Sequence, residues 1–422
     1  MKIRLSVILI TLATCAMAQS SFKPNYDESK VPAYTLPDVL KMPDGQRVAS
    51  AKQWTSVQRP AILQLFKEHV YGQMPGNPRV VRSVVRSVDK QALGGKAIRK
   101  QLTLFFGNGD DAPGMEVLLY LPKTAKPAPV FAGLNFFGNH CVSNDPGILL
   151  STRWLPNRNE EVVNNKATEK ARGMQASRWQ VEELIARGYG TATVYYGDLE
   201  PDHATGWQTG IRTTLKNDLH TAPEDWSAIG AWAWGLSRLM DYLETDPAVD
   251  AKRVMLHGHS RLGKAALWAG ANDPRFAMVI SNDSGEGGAA IARRMFGETI
   301  ERINTSFPYW FVGKFKSYNQ NENAMPTDQH MLLALVAPRP LYVASAKDDQ
   351  WADPKGEFLG ARAAEPVWAL FGKQGLGITD MPPVDQPVGQ TIGYHIRTGG
   401  HDITAYDWQQ YIRFADRHSG KQ

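Results

Sequence analysis

The stretch from Gly258 to Lys264 carries the clearest chemical signal in the chain. It reads Gly-His-Ser-Arg-Leu-Gly-Lys and lies between a predicted strand, residues 254–256, and a helix-forming segment. A serine on a tight turn between strand and helix is typical of a nucleophile elbow, which holds the hydroxyl above the sheet at a helix N-terminus. Backbone N–H groups there can stabilise an oxyanion. The stretch therefore predicts Ser260 as the nucleophile of an acyl transfer; the alternative is an ordinary turn with an incidental serine.

The elbow departs in one position from the common Gly-x-Ser-x-Gly pattern. Leu262 stands where the second glycine is usual, and Gly263 comes one position later. Two cations accompany the serine: Arg261 directly follows it, and Lys264 lies one helical turn further on. Their positions indicate an anionic substrate.

A serine is a weak nucleophile until a base takes its proton. In α/β-hydrolases the acid and then the histidine follow the serine along the chain. His401, in a Thr-Gly-Gly-His-Asp segment between a late strand and the last helix, is the predicted base. Two acids could orient its imidazole: Asp349, after a predicted strand at 341–345, and Asp283, after a predicted strand at 276–281. Spacing alone does not choose between them, and the alternatives are a loop histidine, a helix cap and solvated carboxylates.

The elements that must position these residues alternate between strand and helix. Residues 79–122 contain β-like runs, and from residue 130 onward strand patterns alternate with helical ones. This alternation predicts an α/β-hydrolase fold, a three-layer αβα sandwich with a mostly parallel central sheet. Residues 19–50 are predicted to form an extended N-terminal arm, and the polar region near 138–177 an inserted loop region.

The first 18 residues are typical of a secretory signal peptide. A charged start precedes the apolar run Leu5–Ala13 and the small-x-small end Ala16–Ala18. That run is too short to cross a membrane, and no later stretch is long and apolar enough. We expect cleavage after Ala18, export to the periplasm or the extracellular space, and a single catalytic domain over 19–422.

Composition excludes several classes of protein. Loss of residues 1–18 removes Lys2 and Arg4 and lowers the formal charge from +5 to +3, and there is no basic run with interleaved aromatic residues. This argues against nucleic-acid binding. Cys141 is then the single remaining cysteine, so no internal disulfide is expected. Neither a histidine or cysteine cluster with ligand spacing nor a nucleotide-binding loop is present, so we expect no metal or cofactor. We also expect a monomer.

Several segments together resemble the glucuronoyl esterases of carbohydrate esterase family 15. The most specific is the elbow with Ser-Arg-x-Gly-Lys; the others are Asn135–His140, residues 282–290, residues 307–311 and the Gly-Gly-His run that ends at His401. The matches spread from about residue 130 to residue 402. The family cleaves the ester between 4-O-methyl-glucuronic acid on xylan and lignin alcohols, so the resemblance implies an α/β-hydrolase with that activity.

The resemblance also implies roles for individual residues. Ser260 corresponds to the nucleophile and His401 to the base, and Arg261 would contribute its side chain and its N–H to the oxyanion site. The residues implied to bind the uronic acid are Lys264, Glu298 and Trp351. The family's early-loop acid is usually glutamate, and here it is Asp283. Some bacterial members resemble this chain in carrying an acid in the late loop, as Asp349 does.

The sequence thus predicts a secreted serine carboxylesterase for esters of (4-O-methyl-)glucuronic acid in glucuronoxylan with lignin alcohols. The alternatives are an acetyl xylan or feruloyl esterase of the same fold, a secreted peptidase, and a non-catalytic carbohydrate-binding relative. Arg261 and Lys264 favour the uronate ester over a small neutral acyl group. A non-catalytic relative would normally have lost the serine, the histidine or the acids, and all remain.

Overall fold

The computed structural model describes residues 22–76, 82–107, 109 and 111–418. The predicted signal peptide, residues 1–18, lies outside these residues. Within the described ranges, a search for helices with the length and hydropathy of a membrane span found none.

A ten-stranded sheet forms the centre of the described chain, and two short strands form a separate hairpin. The strands are β1 Arg82–Ala92, β2 Ala97–Phe105, β3 Gly114–Pro122, β4 Ala128–Asn135, β5 Val162–Val163, β6 Lys166–Ala167, β7 Gly190–Tyr195, β8 Val249–His259, β9 Met278–Asn282, β10 Leu341–Ala346, β11 Val388–Gly389 and β12 Ile392–Arg397. The order across the sheet is β1-β2-β3-β7-β4-β8-β9-β10-β12-β11, and β5 pairs with β6.

Helices cover the sheet on both faces. They are α1 Ala51–Gln53, α2 Arg59–Phe66, α3 Ala176–Trp179, α4 Val181–Ala186, α5 Ile211–Thr214, α6 Lys216–Leu219, α7 Ala228–Leu243, α8 Arg261–Asn272, α9 Ile300–Ser306, α10 Gln329–Ala334, α11 Pro354–Ala369 and α12 Ala405–His418. A π-helical stretch, Trp54–Gln58, joins α1 to α2, and a second one, Lys67–Tyr71, continues the segment after α2.

The central strands are parallel, as the alternating pattern predicts. Strands β7, β4, β8, β9, β10 and β12 pair in parallel, and antiparallel strands extend the sheet at both edges. Side chains of a strand point alternately to the two faces. In β8, Val254 and Leu256 pack into the cluster that includes Trp232 of α7, whereas Met255 packs with Trp408 of α12. The three-layer αβα sandwich of an α/β-hydrolase is therefore confirmed.

Two segments before β7 are less regular than a simple alternation of loop and helix. The chain over 176–186 forms two short helices, α3 and α4, because Gln180 between them has a left-handed φ of 44°. The region near 138–177 contains the β5–β6 hairpin and short 3-10 turns rather than only irregular loop. Apolar periodicity does not report such breaks, because they depend on local backbone conformation.

Glycines shape the turn between β8 and α8. A Cβ on Gly258 would lie 2.0 Å from the carbonyl oxygen of Leu262, and a Cβ on Gly263 would lie 3.0 Å from the Cβ of Ser284. Gly258 is therefore required by the turn itself, and Gly263 by the close packing of α8 against the loop after β9. The one-position shift from the usual glycine pattern follows from this second contact.

We expect Gly258→Ala to destabilise the folded protein by about 1–3 kcal/mol, because the added methyl group has no space against backbone atoms. Chemical denaturation followed by circular dichroism measures the change. Gly313→Ala is the matched control, since a Cβ there meets no heavy atom within 4 Å. Equal stability of the two variants would contradict this account of the turn.

Candidate active site

Four neighbouring parallel strands end at one edge of the sheet, and a predicted site residue follows each of them. Ser260 follows β8, Asp283 follows β9, Asp349 lies beyond β10, and His401 lies beyond β12. In open α/β sheets, ligands bind outside the carboxyl ends of the strands. The topology thus brings together side chains that are far apart in the sequence.

Ser260 occupies a strained backbone position. Its φ of 57° and ψ of −130° lie outside the regions that residues other than glycine usually adopt, a conformation that costs about 1–3 kcal/mol. Ser260 is the N-cap residue of α8, and its N–H donates to the carbonyl oxygen of Asn282 at 2.9 Å. The hydroxyl therefore stands at a helix N-terminus, where unpaired backbone N–H groups and the helix dipole favour negative charge.

His401 is bonded to the later of the two candidate acids. Its Nδ1 lies 2.6 Å from Oδ2 of Asp349. The loops that carry the two residues are joined by their backbones, since the N–H of Asp348 donates to the carbonyl oxygen of Gly399 at 2.9 Å. The Asp349 side chain is 5% exposed and the His401 side chain 42% exposed. The imidazole is thus fixed by a buried carboxylate on one side and open to solvent on the other.

Asp283, the earlier candidate acid, lies beside this pair but is bonded differently. Donor atoms of Asp283, Asp349 and His401 all lie within 4.8 Å of one another. Neither carboxyl oxygen of Asp283 has a hydrogen-bond partner among the described residues, and its charged neighbour is Arg397, whose Nη2 lies 3.6 Å from Oδ2. The three side chains could ligate a cation, but Nδ1 of His401 and Oδ2 of Asp349 already bond to each other. We interpret the group as a histidine–acid pair with a second acid alongside.

Glu357, on α11, is a buried acid that the sequence analysis missed. Its Oε1 accepts the backbone N–H groups of Ser284 and Gly285 at 2.8 and 3.0 Å, and its Oε2 bonds to the hydroxyl of Ser345 at 2.6 Å. Burial raises the pKa of Glu357 to about 8, and the nearby Asp349 carboxylate adds to this effect. Glu357 therefore ties the loop after β9 to β10 while remaining largely protonated at neutral pH.

Burial likewise raises the pKa of Asp283 well above its ordinary value, and the carboxylates of Glu357 and Asp349 raise it further. Closely spaced buried carboxyl groups cannot all ionise, because their mutual repulsion is weakly screened. Of the three acids, Asp349 is the one whose carboxyl oxygen bonds to the imidazole.

His259 packs directly against the predicted base. The two ring centroids are 4.5 Å apart, and Nδ1 of His259 lies 2.6 Å from Oδ1 of Asn282. Burial lowers the pKa of His259 well below its usual range, and the neighbouring His401 lowers it further. A neutral imidazole thus packs against the His401 ring.

Arg261 is held in a cage of aromatic rings by one carboxylate. Its Nη1 bonds to Asp202, which also accepts the hydroxyl of Tyr309 at 2.8 Å and the indole N–H of Trp310 at 2.7 Å. The guanidinium carbon lies 4.6 Å from the Trp310 ring centroid. Burial lowers the pKa of Arg261, but the Asp202 carboxylate outweighs this and raises it overall, so the side chain is a cation. Its Nε has no partner among the described residues.

The residues predicted to bind sugar form a second cluster beside the elbow. The ammonium group of Lys264 donates to the carbonyl oxygen of Ser284. Burial lowers the pKa of Lys264, and the carboxyl groups of Glu298 and Glu286 oppose the shift. Burial raises the pKa of Glu298, and the charge of Lys264 and a hydrogen bond from the Trp351 side chain oppose it. Lys264, Glu298 and Trp351 therefore lie close enough to interact with one another.

The Asn135–His140 segment supports the fold of a neighbouring loop rather than presenting reactive groups. The Asn135 side chain accepts the N–H of Gly138 at 2.7 Å and donates to Asn139 and Thr193 at 2.8 and 3.0 Å. His140 is buried, and burial lowers its pKa to about 4. The motif fixes the chain where β4 ends, next to β8.

The sheet order, the strained serine between strand and helix, and the histidine–acid pair at the carboxyl edge define an α/β-hydrolase. Known proteins resemble this chain over nearly its whole length. Carbohydrate esterase MZ0003, from an unknown prokaryotic organism, is 51% identical over 93% of this chain and 92% of its own. A family model described as glucuronyl esterase of fungi matches residues 188–372.

Solved structures agree with the sequence matches. The glucuronoyl esterase from Solibacter usitatus superposes with a TM-score of 0.88 at 57% identity, covering 92% of this chain and 99% of that chain. A promiscuous esterase of carbohydrate esterase family 15 from a marine bacterial metagenome gives a TM-score of 0.88 at 50% identity, covering 94% and 100%. The chain belongs to the glucuronoyl esterases of carbohydrate esterase family 15, a family of carboxylic ester hydrolases that act on esters of glucuronic acid.

Replacement of Glu357 tests whether this buried carboxyl group is protonated in the folded protein at neutral pH. A carboxyl whose pKa is higher in the folded than in the unfolded state stabilises the fold below its unfolded pKa of 4.5, and this contribution is lost as the pH rises through about 8. The unfolding free energy of the wild type should therefore fall more between pH 5 and pH 8 than that of Glu357→Gln, by on the order of 2 kcal/mol. Denaturant titrations at both pH values measure this.

Glu182→Gln, at an exposed position on α4, controls for removal of a carboxyl group in general. It should show the same pH dependence as the wild type. Parallel pH profiles of Glu357→Gln and the wild type would mean that Glu357 is ionised in the folded protein.

Proposed function

We propose that this enzyme hydrolyses esters between (4-O-methyl-)glucuronic acid of glucuronoxylan and lignin alcohols through an acyl-enzyme on Ser260. The observation that carries the proposal is the 2.6 Å bond between His401 and Asp349 at the sheet edge where the elbow also ends. The Ser260 hydroxyl attacks the ester carbonyl as His401 takes its proton, and Asp349 stabilises the imidazolium. The imidazolium then protonates the departing alcohol, and water repeats the sequence to release the uronate.

Arg261 is the proposed source of oxyanion stabilisation. Asp202 and the Trp310 ring fix its guanidinium, and its Nε–H is left without a partner. Its backbone N–H is the first of α8 and belongs to the helix N-terminus. Donors that are fixed before the reaction stabilise developing negative charge without reorganisation.

Asp349 is the proposed acid partner of His401, and Asp283 a secondary acid. Asp349 has the direct hydrogen bond, whereas both Asp283 oxygens lack one and its raised pKa favours the neutral form. When Asp283 is neutral, Asp349 is the one carboxylate of this pair that can stabilise the imidazolium.

Lys264, Glu298 and Trp351 are the proposed uronate-binding residues. An ammonium group, a carboxyl group and an indole N–H offer both donors and acceptors, which is what a ring with several hydroxyls requires. Lys264 is 4% exposed and Glu298 9% exposed, so both are held rigidly by their surroundings. We also propose that the chain is exported, because residues 1–18 have the pattern of a signal peptide.

The decisive experiment is hydrolysis of benzyl glucuronate by the purified chain, beside acetylated xylan and a feruloyl ester. We expect selective turnover of the glucuronate ester and a loss of at least about 10³-fold in kcat for Ser260→Ala. Preferred turnover of the acetyl or feruloyl substrate would overturn the assignment to uronate esters. It would not affect the proposed roles of Ser260 as nucleophile and His401 as base.

The two acids are separated by Asp349→Asn and Asp283→Asn, assayed on the same ester beside His401→Ala. We expect Asp349→Asn to lose activity almost as far as His401→Ala, and Asp283→Asn to lose about tenfold or less, because only Asp349 is bonded to the imidazole. Equal mild losses in both variants would exclude a single acid partner.

A further inference from the structure

The N-terminal arm, residues 22–32, forms one wall of a groove next to the sugar-binding cluster. The groove has a volume of about 820 Å³, within the range of ligand sites, and its opposite wall comes from the chain between Met295 and Glu301. Glu298, the proposed uronate ligand, lies within that segment. Phe22, which also lines the groove, contacts the ring of Trp351, so the groove lies next to the proposed uronate-binding residues.

Contacts bind the arm to both loops that carry site residues. The carbonyl oxygen of Asn25 accepts the N–H of Gly297 at 2.9 Å, and the Phe22 ring meets the edge of Trp351 with centroids 6.0 Å apart. Glu28 bonds to Arg294 at 2.6 Å and to Lys355 at 2.8 Å. These ion pairs and contacts fix the arm as a wall of defined position.

Two groups that line the groove have unused hydrogen-bonding capacity. Glu322 is 3% exposed, and its Oε1 has no partner among the described residues. The buried Nδ2 of Asn25 also has none. A buried acceptor and a buried donor without partners are costly unless a ligand or water completes them.

The groove also presents an exposed aromatic ring. Tyr26 is 49% exposed and packs its edge against Phe296, with centroids 6.0 Å apart. A ring that is held in place but open to solvent offers an apolar face beside polar groups. Sugar rings, which combine C–H faces with hydroxyl groups, match this combination.

We infer that the groove between the N-terminal arm and Met295–Glu301 binds the xylan chain that carries the uronate. This inference rests on the proposed function, because it assumes that Lys264, Glu298 and Trp351 hold the uronic acid ring. The sugar chain leaves that ring on the side away from the ester, and the groove adjoins Glu298 and Trp351 through Thr299 and Phe22. The Tyr26 ring stacks on a sugar face, and Glu322 and Asn25 bond to hydroxyl groups.

Two substrates with the same ester test the inference: benzyl glucuronate, and the benzyl ester of glucuronate linked to xylotriose. We expect the wild type to have the lower KM for the xylotriose-linked ester. Tyr26→Ala and Glu322→Gln should raise that KM about five- to tenfold and leave the KM for benzyl glucuronate unchanged. Tyr34→Ala, two residues beyond the arm and outside the groove lining, is the matched control and should change neither value.

Equal KM values for the two esters in the wild type would overturn the inference. An equal rise in KM for both esters in Tyr26→Ala would also overturn it, because the arm would then affect the uronate-binding residues and not the sugar chain. Binding of xylotetraose, followed by NMR titration, is independent of hydrolysis and should be weakened in Tyr26→Ala. A wild type that binds xylotetraose in the groove but does not hydrolyse benzyl glucuronate would refute the proposed function and keep the groove.

Discussion

The site depends on the strained turn at Ser260, where the chain passes from β8 into α8. A φ of 57° at a serine persists only because surrounding contacts enforce it. Gly258 leaves room for the Leu262 carbonyl, and Gly263 lets α8 approach the loop after β9. The same approach brings the Asp283 loop next to the elbow. The position of the hydroxyl and that of the neighbouring acid are therefore consequences of one packing constraint.

Buried charge is the second constraint on the site. Asp283, Asp349 and Glu357 lie near one another, and burial together with mutual repulsion raises the pKa of both Asp283 and Glu357. Arg397 offsets part of this negative charge, with Asp283 at 3.6 Å on one side and Asp407 at 2.8 Å on the other. Of these acids, Asp349 has the hydrogen bond to the imidazole, and burial favours the neutral form of the other two.

Hydrogen bonds and ion pairs hold the Arg261 side chain and the sugar-side segments in defined positions. Asp202 collects the Arg261 guanidinium, the Tyr309 hydroxyl and the Trp310 indole N–H on one carboxylate. Glu28 of the N-terminal arm makes similar links, because it bonds to Arg294, which precedes Glu298 in the chain, and to Lys355, at the start of α11 after Trp351. Buried or paired charges thus fix the segments that carry the proposed recognition residues.

The sequence by itself determined the parallel αβα fold, the elbow at Ser260 and the candidates His401, Asp283 and Asp349, because strand–turn–helix order and periodicity are local properties. Only the tertiary structure decided which acid bonds to His401 and revealed Glu357 and His259 as its supports. Those relations join side chains from different strands and helices, and burial, which sets their pKa values, is a property of the packed molecule. No spacing along the chain encodes the distance between two loops at the edge of a sheet.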